Sequence, residues 1–416
     1  MTEERRGPID PENRVSLEVN GVRYEGWKQV RIRHSIEQLA GAFSLGITDR
    51  WPGQTDSWAI PAGAACTVKI GQDVMITGYV DIPKVKLSPT EHDINVEGRD
   101  RTGDLVDCSA PPREWVGLPF EQIAVDLCAP FGIEINAQLE TGPGGYKAKK
   151  PGKGKAKHAK AGKGGGLLPR KASNSGETVH KLLEKLAKIQ GVLLVSDRVG
   201  GLMITRAGLN GRCTDVLEFG GNLKEIEFEQ SFANLYSEIT VKGQTHGATG
   251  GTTGVVSGAQ RVKAVATVKR AAVAPGTTVR NASIQRYRPL IIIAEDQADA
   301  KRCADRAQWE AGTREAKSKK LTCKVQGWRQ SDGTLWTINT LVRLKCPYVR
   351  EDEDMLVSAV EYSLDITGGT VATLTLYSPQ AFDVLKEIPK PDRSTGKTGP
   401  VLSGAAKQQE TQRRGR

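Results

Sequence analysis

Two ten-residue stretches, VRIRHSIEQL (Val30–Leu39) and IEFEQSFANL (Ile226–Leu235), follow one scheme: apolar, x, apolar, x, x, Ser, apolar, x, x, Leu. Val30 matches Ile226, Ile32 matches Phe228, Ser35 matches Ser231, Ile36 matches Phe232 and Leu39 matches Leu235. Apolar–polar alternation is the mark of a half-buried strand. The shared Ser marks a bend, and a second strand is expected beyond the Leu. The copies start 196 residues apart, in two separate β-rich regions. A duplicated β module explains the recurrence; chance alternation is the competing explanation.

Working outward from the first copy, Val15, Leu17 and Val19 alternate with Ser16 and Glu18, and Asn20-Gly21 follows. Asn-Gly between alternating runs predicts a hairpin, because a type I′ turn needs positive φ at both central residues. Further short runs at Phe43–Ile47, Thr67–Ile70, Met75–Val80 and Asp93–Val96 complete a first β-barrel over residues 15–110, after an N-terminal arm at 1–14. Pro111-Pro112 ends it. Ile123, Ala124, Leu127 and Cys128 then repeat at helical spacing, as do Val179, Leu182, Leu183 and Leu186, with Ser175 the expected cap. Residues 111–212 therefore read as a small α/β domain. It contains a Lys/Gly-rich insertion at 142–172, too polar and too charged to offset the entropy of ordering. Residues 213–385 read as a second β-barrel carrying a long helix at 295–318, and 386–416 as a disordered basic tail. The expected class is mainly β with α+β insertions: two related tube-like β-barrels flanking a small α/β domain.

Charge supports this division. Of the net +11, the stretch Thr141–Ala172 carries +10 and the tail from Lys386 carries +5, leaving the rest of the chain at −4. The basicity belongs to two appendages and does not by itself make a nucleic-acid-binding domain. Seven cysteines, an odd number with no CxxC pair, fit neither a disulfide framework nor a zinc ribbon and suit a reducing compartment. The N-terminus has no apolar signal region, and the longest apolar run, LIIIA at 290–294, is too short to span a bilayer. No membrane insertion is expected.

The sequence argues against an enzyme. The histidines His34, His92, His158, His180 and His246 show no HExxH spacing, and His34 faces Gln230 in the other copy of the motif. There is no GxSxG, and the lysine-rich insertion follows no strand, so it is not a P-loop. The run Glu351–Asp354 lacks the spacing of a calcium loop and reads as a solvated turn. No catalytic residue, cofactor or metal is expected. Two candidate contacts remain. Trp51 and Trp58 sit in a long loop of the first barrel and could anchor an interface. Lys147, Lys149, Lys150, Lys153, Lys155, Lys157, Lys160 and Lys163 form a flexible basic arm able to meet phosphates or an acidic protein. The arm holds a single aromatic, Tyr146, which argues against base stacking.

The segments VSLEVNGVRYEGWKQVRI, SGETVHKLLEKLAKIQGVLLVSD, RPLIIIAEDQADAKRCADRAQWE, VQGWRQSDGTLWTINTLV and MLVSAVEYSLDITGGTVATLTLYSP come in an order that resembles the Mu-like baseplate hub family of contractile phage tails. The resemblance spans most of residues 15–385 and implies a structural protein of the virion tail baseplate, assembled in the host cytoplasm. It implies a homotrimer that adapts a sixfold tail tube to a threefold central spike protein. Tail tube or distal tube protein, tape-measure protein and, through the basic insertion alone, nucleic acid are the other partners considered. The alternative is a tail-associated cell-wall-degrading or carbohydrate-binding protein, which would need paired carboxylates in a cleft.

Overall fold

The computed structural model describes residues 11–48, 60–88, 92–139, 146–147, 168, 171–244, 277–297, 300–365 and 369–385. The first β region comprises β1 (Val15–Val19), β2 (Val22–Tyr24), β3 (Gln29–Ser35), β4 (Ala42–Thr48), β5 (Ala65–Ile70), β6 (Asp73–Leu87) and β7 (His92–Asp100). The α/β unit follows with α1 (Gly103–Asp107), β8 (Glu114–Trp115), α2 (Phe120–Cys128), β9 (Ile135–Ala137), β10 (Tyr146–Lys147) and β11 (Lys171–Ala172). It ends with α3 (Val179–Gln190), β12 (Leu193–Ser196) and β13 (Leu202–Thr205). The remainder holds β14 (Leu217–Glu218), β15 (Leu223–Gln230), β16 (Glu238–Gln244), β17 (Thr277–Arg280), β18 (Pro289–Gln297) and α4 (Ala300–Ser318). Last come β19 (Lys319–Gln326), β20 (Leu341–Cys346), β21 (Glu351–Asp365) and β22 (Gly369–Tyr377).

Local chemistry sets these elements as expected in several places. Asn20 (φ 51°) and Gly21 (φ 81°) both take the left-handed conformation that the β1–β2 turn requires. Along β3, Val30, Ile32 and His34 are buried while Arg31 and Arg33 face solvent. Three expectations change. The cap of α3 is Thr178, whose Oγ1 accepts from Lys181 N at 3.3 Å, and not Ser175. Residues 295–297 extend β18, so the long helix starts at Ala300. Within 142–172, Tyr146–Lys147 pairs with β9, Leu168 is buried in a bridge to Leu118, and β11 pairs with β8. Apolar Leu168 and the β11 backbone find partners on the α/β unit, which narrows the stretch expected to lack structure.

Both β regions share one sheet, in the order β15-β19-β22-β21-β3-β4-β7-β6-β5-β1-β2, with β20 on β21 and β14 on β20. Among the described residues the path is open: the pairings draw no closed barrel. One core runs under it, from Leu17, Ile32 and Leu45 to Trp328, Trp336 and Tyr362. The α/β unit keeps a separate core built on Phe120, Ile123, Leu127, Leu183 and Leu186. A separate three-stranded sheet, β17-β16-β18, carries α4 against Val241 through Cys303 and Ala307.

The duplication is written in the pairing register. β15-β19-β22-β21-β20 repeats β3-β4-β7-β6-β5 strand for strand. Val30 lies opposite Leu45, Leu45 opposite Val96, and Val96 opposite Pro83. In the second set Ile226 lies opposite Cys323, Cys323 opposite Leu374, and Leu374 opposite Val360. β6 and β21 are each 15 residues long. Each is bulged at the corresponding place, between Val80 and Ile82 and between Val357 and Ala359. A bulge bends a strand and raises its twist, so it is a shape-setting feature rather than noise. The motif serine repeats its role as well: Ser35 Oγ accepts from Glu37 N at 3.1 Å, and Ser231 Oγ from Ala233 N at 3.3 Å. In both copies a strand begins beyond the Leu, β4 at Ala42 and β16 at Glu238, but the two differ in pairing: β4 pairs with the motif strand β3, whereas β16 lies in the β17-β16-β18 sheet and β15 pairs with β19, reached after residues 231–318.

Candidate functional site: the open edges of a duplicated sheet

A catalytic reading finds little support in the geometry. The most suggestive grouping is Ser196, Asp100 and His34. Asp100 accepts from Ser196 Oγ at 2.5 Å, Thr102 Oγ1 at 2.5 Å, Thr102 N at 2.9 Å and Gly41 N at 2.6 Å. Burial pushes its carboxyl above the ordinary range, and these donors pull it back. His34 is held neutral, its pKa lowered to about 3 by burial first and by Arg198 second. All three side chains are buried, so no substrate reaches them. The Ser196–Asp100 bond fastens the first module to the α/β hairpin. Arg198, from the same hairpin, donates to Trp336 O at 3.2 Å, Thr337 Oγ1 at 3.2 Å and Tyr362 Oη at 3.3 Å, tying in the second module.

Several acidic groups are likewise matched by cations. In the groove beside Tyr79 and Asp104, Arg99 binds Asp81 at 2.7 Å and Asp107 at 2.8 Å, leaving no spare carboxylate pair for glycoside hydrolysis. Glu351–Asp354 is strand rather than the expected turn. Lys319 meets Glu351 at 3.0 Å, Arg343 from the neighbouring β20 meets Asp352 at 2.7 Å, and Arg212 meets Asp354 at 2.5 Å. No His/Cys/Asp/Glu cluster able to hold a metal exists among the described residues. Six cysteines are buried and Cys108 is exposed, none of them in a disulfide; burial lifts Cys66, Cys128 and Cys323 to about 12, so these thiols are inert. Trp51 and Trp58 lie outside the described residues, as do all the arm lysines except Lys147, whose backbone belongs to β10.

What the surface does present is sheet edges. The second half of β21 pairs with β3, from Ala359 opposite Ser35 to Leu364 opposite Val30, so the two modules are joined edge to edge. Ile36 N donates to Ser358 O at 2.8 Å, and Arg31 binds Glu361 at 3.0 Å across this joint. β6 is built like β21. Its first half pairs with β5, and its second half, from Ile82 onward, has β7 as its one strand partner among the described residues. β15 is built like β3, yet it ends the sheet path, with β19 as its one strand partner there. Unpaired N–H and C=O groups along an edge are a template for another strand.

Comparison with known proteins fixes the family. Over 389 residues the chain is 32% identical to the baseplate hub protein gp44 of Escherichia phage Mu, covering 92% of this chain and 93% of that one. The chain belongs to the Mu-type baseplate hub protein family. Three family models match hub segments in turn: Mu phage baseplate assembly protein GpP-like, N-terminal, over 14–100; baseplate hub protein gp44-like, second domain, over 102–150 and 158–206; and Mu phage baseplate assembly protein GpP, fourth domain, over 299–385. β15 lies in none of these stretches; the repeated motif and the register reveal it as part of the second module. The 43 kDa tail protein of prophage MuSo2 from Shewanella oneidensis has the same fold at 32% identity, with a TM-score of 0.71, covering 89% of this hub chain and all of that one. A tail protein from Neisseria meningitidis MC58 shares the fold at 19% identity and a TM-score of 0.68, over 90% of this chain and 99% of that one. The hub is thus a structural baseplate protein and not an enzyme. No described helix is long and apolar enough to cross a membrane.

Proposed function

We propose that this hub chain is a trimeric symmetry adapter: three copies form a ring that meets a sixfold tail tube on one face and a threefold central spike on the other. The observation that carries this reading is the register-level identity of the two five-stranded modules. A closed ring repeats each interface around its axis. Three chains offer six near-equivalent surfaces only if each chain carries two like modules, and each module then acts as one tube-wall unit, the barrel-like element of a collar. The alternative of a wall-degrading or carbohydrate-binding protein is not favoured by any observation.

Within the same reading, Trp51 and Trp58 are proposed as anchors on a neighbouring chain. The lysine arm, Lys147 to Lys163, is proposed to meet the tape-measure protein or DNA near the channel. Light scattering tests the main reading: it expects a particle of three times the 45.0 kDa chain mass. Monomers at every concentration, alone and with a spike protein, would contradict it.

A further inference from the structure

We infer that the joint between neighbouring copies is a β-ladder between the second half of β6 in one chain and β15 in the next, in the register of the internal β21–β3 joint. This rests on the trimeric reading and names the surface that closes the ring.

The internal joint supplies the template. Module equivalence carries β3 onto β15, with Ser35 on Ser231, and β21 onto β6, with Ala359 on Ile82 and Val360 on Pro83. Transferring the six internal pairs places Ile82 opposite Ser231, Lys84 opposite Glu229, Val85 opposite Phe228, Lys86 opposite Glu227 and Leu87 opposite Ile226. Two lysines face two glutamates, although no charge enters the transfer. At the internal joint the signs are reversed, with Arg31 and Arg33 on the β3 side and Glu361 on the other. Each half-edge thus disfavours its own kind and matches the other; like charges directly opposite destabilise a strand pair.

Burial points the same way. Tyr362 is 0% exposed beneath the internal ladder, while its counterpart Val85 is 57% exposed. Ile36 is 9% exposed and its counterpart Phe232 is 50% exposed. Ile82, beside the β6 bulge, is 47% exposed. Ile226 and Phe228 are half-buried where Val30 and Ile32 are buried. The second copy of this chain is the occupant that covers these apolar groups with groups already shaped for them, and it continues the sheet joined at β21–β3. Pro83 offers no N–H, so at most one rung is lost opposite Gln230, and the same proline deters unrelated strands from adding to the edge.

Directly opposed residues of a ladder have Cβ atoms about 4.5–5.5 Å apart, near disulfide reach. The test therefore places Lys84→Cys and Glu229→Cys in one chain, on a Cys108→Ser background that removes the exposed thiol. Oxidation is expected to convert most of the protein to a covalent trimer on a non-reducing gel. The shifted pair Val85→Cys with Glu229→Cys puts the thiols on opposite sheet faces and is expected to give a crosslink at least tenfold weaker. In solution, the double variant Glu227→Lys/Glu229→Lys should lose the trimer, and adding Lys84→Glu/Lys86→Glu should restore it. A trimer by light scattering without the crosslink, or with equal crosslinking of the shifted pair, overturns this joint and leaves the adapter standing. Monomers without crosslink overturn both. A covalent dimer without trimer overturns the closed ring.

Discussion

Replacing His34 with Gln, the residue its repeat partner Gln230 occupies, should make the hub more resistant to acid. His34 sits on β3 inside the joint between modules, opposite Val360, with Arg198 as its charged neighbour. In the folded chain it stays neutral down to about pH 3, against an ordinary 6.5. The folded pKa is depressed, so the unfolded chain takes up this proton first. Stability from the neutral imidazole is whole above pH 6.5 and is lost as pH falls from there toward 3. Across that window the loss amounts to roughly 5 kcal/mol, at about 1.4 kcal/mol for each pH unit. Asp100 and Asp197 act in the opposite sense: burial raises both, so they favour the folded state as pH drops below their folded values. The difference between wild type and His34→Gln isolates the histidine, because both chains keep these acids. Guanidinium unfolding between pH 7 and pH 4, followed by fluorescence of the buried Trp328 and Trp336, supplies the comparison. The gap should move in favour of the variant by about 1 to 1.4 kcal/mol per pH unit below 6. Stability curves that run parallel from pH 7 to pH 4 would refute the argument.

Gly41→Ala would bring a methyl to 2.8 Å from His34 Nδ1 and 3.0 Å from Asp100 Oδ2, and thermal unfolding should show a loss of about 1–3 kcal/mol. Ser196→Ala removes a donor from buried Asp100 and should cost about 1–3 kcal/mol at pH 7 in chemical denaturation, with part of the loss recovered as pH falls and the acid, whose pKa burial raises, takes up its proton. The serine of each motif copy makes one exposed or half-buried turn bond, so Ser35→Ala and Ser231→Ala should each cost about 0.5–1.5 kcal/mol, and a double-mutant comparison should find the two additive.

Much of the fold was legible because its strongest signals are local. Asn20-Gly21 fixes a hairpin by backbone sterics alone, and the Ser of the ten-residue motif bonds two residues ahead in both copies. Trp328 and Trp336 flank a Ser331-Asp332-Gly333 turn signal and are buried, as aromatics beside a tight turn are when they face a core. What escaped the sequence is non-local. β15 finds its partner beyond residues 231–318, while the strand nearest in sequence, β16, joins another sheet, a pairing no local signal carries. The acids at 351–354 looked like a solvated turn because two of their cations, Lys319 and Arg212, come from elements other than the adjoining strand that carries Arg343. Tube-like barrels were expected from strand count; the joint between the modules was not, because β21 pairs along its first half with β20 and hands the outer edge of its second half to β3 of the other module. The assembly edges were invisible for the same reason: Lys84 and Glu229 are ordinary surface residues until the internal register sets them opposite one another.

The most direct test of the whole account is a cryo-EM map of the assembled hub ring. It should show three chains whose six modules superpose by successive rotations of about 60°, with internal and intermolecular strand joints alternating around the collar. A threefold ring with the modules around Ser35 and Ser231 at different radii, or in unrelated orientations, would contradict it.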